Sequence, residues 1–117
     1  MPAYNFKKQF ADAVAAGRKR QTIRKPRKRP TSPGDRLYLY TGMRTKGCRK
    51  LREVDCDSVT PLELYFGLRA FSNGVEMSGA EIVAMARADG FVNALDFFEF
   101  FGNQYGLPIE NLEIITW

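Results

Sequence analysis

Histidine is absent from all 117 residues, which removes the commonest general base and a common metal ligand. Cysteine occurs only at Cys48 and Cys56. Two are too few for a disulfide framework, and without histidine they cannot complete a usual zinc site. Free thiols, no metal and no cofactor are therefore expected. No apolar run approaches the roughly 18 residues that a membrane-spanning helix needs. The N-terminus lacks the apolar core of a signal peptide. These absences lead to the expectation of a cytoplasmic protein. The length suits one domain, residues 1–117, with a single modest core.

Acidic residues are almost missing from one stretch. Residues 18–52 hold fourteen Lys and Arg against Asp35 alone, a net charge of +13, whereas residues 53–117 carry −9. So sharp a division suggests a basic face for a polyanion, with the acidic half elsewhere. Clustering of this kind is the electrostatic footprint of nucleic-acid binders.

Periodicity divides the chain further. Phe6, Phe10, Ala13 and Val14 follow helical spacing, predicting a helix over residues 6–16 with Asn5 as N-cap and Gly17 just past its end. Residues 25–33 contain three prolines and no large apolar side chain, the pattern of an exposed basic loop. Residues 36–41 alternate as a strand, with Leu37 and Leu39 on one face and Tyr38 and Tyr40 on the other. A second basic loop, residues 42–47, carries Arg44 and Lys46.

Strands are predicted over 48–54, 59–70, 75–77 and 112–117, with Asn73-Gly74 as a hairpin turn. Ser78 and Glu81 form a capping box for one helix, and Asn93 caps another that ends near Gly102. Several strands with few helices indicate an α+β domain built on a small barrel. The core should draw on Phe6, Phe10, Leu37, Leu39, Leu64, Ile82, Phe91, Phe97, Phe101 and Ile114.

Chemistry concentrates where the first helix stops. In Gly17-Arg18-Lys19-Arg20-Gln21-Thr22-Ile23-Arg24, extended backbone puts Thr22 and Arg24 on one face, because strand side chains alternate. Lys19, in the preceding turn, can reach that face. A hydroxyl, an ammonium and a guanidinium converging on one spot make an anion-binding or nucleophile-activating site. Tyr38, Tyr40 and Arg44 form a second constellation, able to stack on bases while arginine holds phosphate.

This stretch resembles the G-x-K-x-x-T-x-R signature of the ASCH domain family, in the PUA-like superfamily. The likeness extends to Gly34-Asp35 before a strand, and to Asp89-Gly90-Phe91 before the aromatic-rich helix. It implies a small PUA-like β-barrel flanked by helices, with a cleft lined by the motif. It also implies that Asp89 faces that cleft, alongside Lys19, Thr22 and Arg24.

Relatives of this kind include an amidohydrolase of N4-acetylcytidine that uses a threonine nucleophile, an assisting lysine and a glutamate. The catalytic set implied here is Lys19, Thr22 and Asp89, with aspartate where glutamate often stands. The shorter side chain withdraws the carboxylate by one methylene, and catalysis responds to displacements near 1 Å. The preferred expectation is therefore a domain that binds RNA, or a modified nucleoside within it. Its contacts would come from Arg18, Lys19, Arg20, Arg24, Arg27, Lys28, Arg29, Tyr40, Arg44 and Lys46. The amidohydrolase is the main alternative; a ribonuclease and a protein-interaction module are weaker ones.

Overall fold

The computed structural model describes residues 2–117 as an α+β fold of eight strands and three helices. Strand β1 (Ala3–Phe6) precedes helix α1 (Lys8–Ala15) and strand β2 (Gln21–Arg24). Strands β3 (Arg36–Thr41), β4 (Arg49–Asp55), β5 (Ser58–Tyr65), β6 (Arg69–Ser72) and β7 (Val75–Glu76) follow. Helices α2 (Gly79–Ala88) and α3 (Ala94–Tyr105) lead to strand β8 (Ile109–Thr116).

The strands form two sheets, ordered β1-β3-β4 and β2-β8-β5-β6-β7. Among the described residues these sheets do not join into a closed barrel. The chain passes between them at Cys56-Asp57, where the Cys56 N–H donates to Asp35 O and the Asp57 N–H to Thr116 O, both at 2.8 Å. β1 and β2 are each an edge of their sheet. Arg24 reaches across from one edge to the other, donating from Nη2 to Asn5 O at 2.5 Å.

Three local readings are corrected. The helix expected from residue 6 begins only at Lys8, and residues 3–6 are a strand pairing in parallel with β3, from Ala3↔Tyr38 to Phe6↔Thr41. Tyr4 and Phe6 alternate inward and Asn5 outward, a two-residue period that the helical Phe6–Phe10 spacing hides. Asn5 caps nothing; its Oδ1 accepts the Met43 N–H at 3.0 Å, and Lys7 takes the N-cap position. Residues 59–70 are not one strand but β5 and β6, turning at Gly67 and Leu68, both with positive φ (77° and 56°). Gly102 does not end the last helix, which runs on to Tyr105 and stops at Gly106, φ 77°.

The other two predicted N-caps form: Ser78 and Glu81 complete their box, and Asn93 accepts from the Asp96 N–H. Two apolar clusters build the core. One lies between α2, α3 and the larger sheet, including Ile23, Leu64, Ile82 and Phe97. The other gathers Tyr4, Phe6, Phe10, Leu37 and Leu39 with Ile115 and Trp117. Phe91 and Phe100 pack against both clusters, so the aromatic stretch knits the sheets together. Of the expected core, Phe91 and Ile114 are only half-buried.

Candidate binding pocket

The end of α1 fixes where the motif begins. Gly17, φ 78°, reverses the chain, and the Arg18 and Lys19 N–H groups both turn back to Ala13 O at 2.9 and 3.0 Å. These bonds satisfy a carbonyl that the helix end leaves without a partner. They also deliver Lys19 to the head of β2, pointing inward.

Lys19 is 3% exposed and Asp89 4%. The Lys19 Nζ donates to Asp89 Oδ1 at 2.9 Å and to Asp89 O at 2.6 Å. Asp89 closes α2 as its C-cap, so one lysine serves both a carboxylate and a helix-terminal carbonyl. Gln21 adds a donation to Asp89 Oδ1 at 3.3 Å and another to Met85 O at 3.4 Å. Burial lowers the Lys19 pKa, opposed by the Asp89 charge and hydrogen bond and assisted by the Arg24 charge. Burial raises the Asp89 pKa, opposed chiefly by Lys19. Each group is held nearer its neutral form than it would be in water, because desolvation outweighs the mutual attraction.

Thr22 and Arg24 share a face of β2, and the Arg24 Nε donates to the Thr22 Oγ1 at 2.8 Å. The guanidinium lies 5.0 Å from the Phe6 ring and 5.4 Å from the Tyr4 ring, a cation–π arrangement that holds its plane. Burial lowers the Arg24 pKa.

These four side chains line one pocket of about 230 Å³ in the seam between β1 and β2. Its other walls are Asn5, Phe6 and Lys7 from the β1 side, Phe10 from α1, and Phe100, Phe101, Gln104 and Tyr105 from α3. Gly90 makes room for the floor: a Cβ there would sit 2.9 and 3.0 Å from Phe10 ring atoms and 3.6 Å from Lys19 Cδ. Its φ of 100° is also one that a residue with a side chain rarely adopts.

The remaining sequence-selected residues separate by location. Lys25, which the sequence did not single out, lies 4.8 Å from the ring of Tyr105, a residue of the pocket wall. Arg27 stacks 5.5 Å from the Tyr4 ring. Arg27 and Arg29, with Arg36, border a separate depression. Thr31 is buried and shares a 2.5 Å hydrogen bond with the Tyr4 hydroxyl, so the proline-rich loop is pinned at that point. Arg18, Lys28, Arg44 and Lys46 are exposed and line none of these pockets. Arg20 is exposed too, and its Nε donates to Trp117 O at 3.2 Å. Tyr40 lies on the outer face of β3, opposite Lys50 on β4, and does not enter the pocket.

Sequence reasoning missed Gln21, Asn5, Gln104 and Tyr105. Gln21 alone carried a signal, as a polar residue opening an otherwise buried strand. Among the described residues, no group of three or more Cys, Asp or Glu side chains is placed to hold a metal ion. No helix among them is long and apolar enough to cross a membrane. No protein-family model, no curated protein and no solved structure matches the chain.

Proposed function

We propose that the pocket between β1 and β2 binds a single base or modified nucleoside of RNA, with the neighbouring basic tract holding the backbone. The observation that carries this reading is the composition of the pocket floor. Lys19, Thr22 and Arg24 bring donors, and Asp89 brings a carboxylate beside them. A heterocycle edge presents that mixture of acceptors and amine donors. Phe10, Phe100 and Tyr105 supply the apolar walls that a flat ring needs. Lys7, Lys25 and Arg27 surround the mouth with charge for phosphates.

In this reading the chain is an ASCH-like domain. Its six strands β1 to β5 and β8 correspond to those of a PUA-like barrel, here standing as two sheets that no strand pairing joins among the described residues. The corner at Cys56-Asp57 supports that description, as does the packing of Ile115 and Trp117 among β1 and β3 side chains.

One observation favours a second reading, acyl removal from a nucleoside: Thr22 and a lysine whose pKa burial lowers share the pocket. Against it, the Thr22 oxygen is bonded to a guanidinium, which donates and cannot accept a proton. Lys19 meanwhile spends two donors on Asp89. Binding is the stronger reading.

The test is RNA affinity by fluorescence anisotropy for the wild type and Arg24→Gln, with thermal melts to confirm folding. A loss of at least about tenfold is expected, since a charge-assisted hydrogen bond is removed. Equal affinities would exclude the pocket from the interface.

A further inference from the structure

A second cavity, of about 580 Å³, lies on the other side of the β1 end. It shares Asn5, Phe6 and Lys7 with the first pocket, so the two adjoin at the end of β1. Its own cations are Lys8 and Arg49, both exposed. Asp12 is its one carboxylate. Arg49 approaches Asp12 only at 3.9 Å with both side chains largely in water, a pairing too weak to hold the guanidinium against a phosphate.

The far wall is built rather than loose. The Thr41 hydroxyl donates to Phe6 O at 2.8 Å, and the Met43 N–H donates to Asn5 Oδ1 at 3.0 Å, so the wall is tied to β1 twice. Within it, the Thr45 hydroxyl donates to Gly42 O at 2.6 Å and accepts from the Gly47 N–H at 3.1 Å. A Cβ at Gly42 would stand 2.9 Å from Gly47 O, which leaves no space for a side chain.

We infer that this second compartment is a phosphate subsite, and that the ligand is a single-stranded oligonucleotide rather than a free nucleoside. Resting on the base-pocket reading, it places one base between β1 and β2 while Lys8 and Arg49 hold an adjacent phosphodiester of the same strand. Lys7, common to both compartments, lies between base and backbone.

The probes are a labelled random-sequence RNA hexamer, read by anisotropy, and the four ribonucleosides, read by ligand-observed NMR. The proteins are the wild type, Lys8→Gln/Arg49→Gln, Arg24→Gln, and Gln104→Trp, which obstructs the first pocket from an exposed position. For Lys8→Gln/Arg49→Gln we expect hexamer affinity to fall about tenfold and its salt slope to flatten by about 0.7. Nucleoside binding by that variant should stay unchanged. Hexamer affinity that is untouched in this variant, or nucleoside binding that falls with it, overturns the phosphate subsite while the base pocket stands. Hexamer affinity untouched by both Arg24→Gln and Gln104→Trp overturns the base pocket and this inference with it.

Discussion

The Lys19 ammonium stands 2.9 Å from the Asp89 carboxylate, with only 4% and 5% of the two side chains open to water. The contact joins the head of β2 to the end of α2, seventy residues later in the chain. It therefore sets how α2 lies over the larger sheet, as well as what the pocket floor presents.

Breaking this pair from one side should cost more than removing it altogether. Lys19→Met leaves a buried carboxylate without its main partner, at a cost of about 3–5 kcal/mol. Lys19→Met together with Asp89→Leu deletes both charges, and most of that loss should return. Urea titrations of the two single variants and the double variant measure the coupling directly. Additive losses would mean that the two groups act independently despite their separation.

The direction of the Lys19 shift fixes a pH dependence. Its pKa in the fold lies below the ordinary lysine value of about 10.4, with burial as the main cause. Between those two values the unfolded chain retains a proton that the fold has already released. Stability rises with pH wherever the unfolded state binds more protons. Below the window Lys19 is charged in both states, and the full burden of burying that charge is present. The wild type should therefore gain on the Lys19→Met/Asp89→Leu variant as pH rises through the window. Denaturation at a series of alkaline pH values checks the sign, and a relative loss would contradict it.

Gly90→Ala should damage fold and pocket together. The added methyl requires a left-handed backbone at φ 100° and lands within 3 Å of the Phe10 ring. Strain of this kind costs on the order of 1–3 kcal/mol before any clash. Relief has to come from Phe10 or the Lys19 stem, and both line the pocket. RNA affinity should fall with the melting temperature. A variant with a lowered melting temperature and full affinity would show that the pocket tolerates the shift.

Much of this arrangement was legible in the residues, for reasons that differ by element. β3 was readable because Leu37 and Leu39 alternate with tyrosines, and burial follows that alternation. Both capped helices were readable because their starts are chemically marked by Ser78 and Asn93. Thr22 and Arg24 followed from strand geometry alone.

β1 was hidden because Phe6 and Phe10 satisfy a helical spacing while belonging to two different elements. The 66–68 turn was hidden by Phe66 and Leu68, large apolar residues exposed at a hairpin tip. The lining from α3 was unreadable, since helix length past Gly102 depends on where Gly106 breaks the chain.

Thr22→Val separates binding from catalysis. It keeps shape and strand propensity but deletes the hydroxyl that accepts from the Arg24 Nε at 2.8 Å. If Thr22 only helps to bind, the change removes one hydrogen bond and loosens the guanidinium. Affinity for RNA should then fall about fivefold, on the order of 1 kcal/mol. If Thr22 is a nucleophile, hydrolysis of N4-acetylcytidine by the wild type should be measurable and should vanish in the variant, with the fold intact. The pocket gives Thr22 a donor for a partner, and its lysine is committed to Asp89. We therefore expect no turnover of that nucleoside by the wild type and a modest binding defect in the variant. Hydrolysis by the wild type that Thr22→Val abolishes would reverse the order of the two readings.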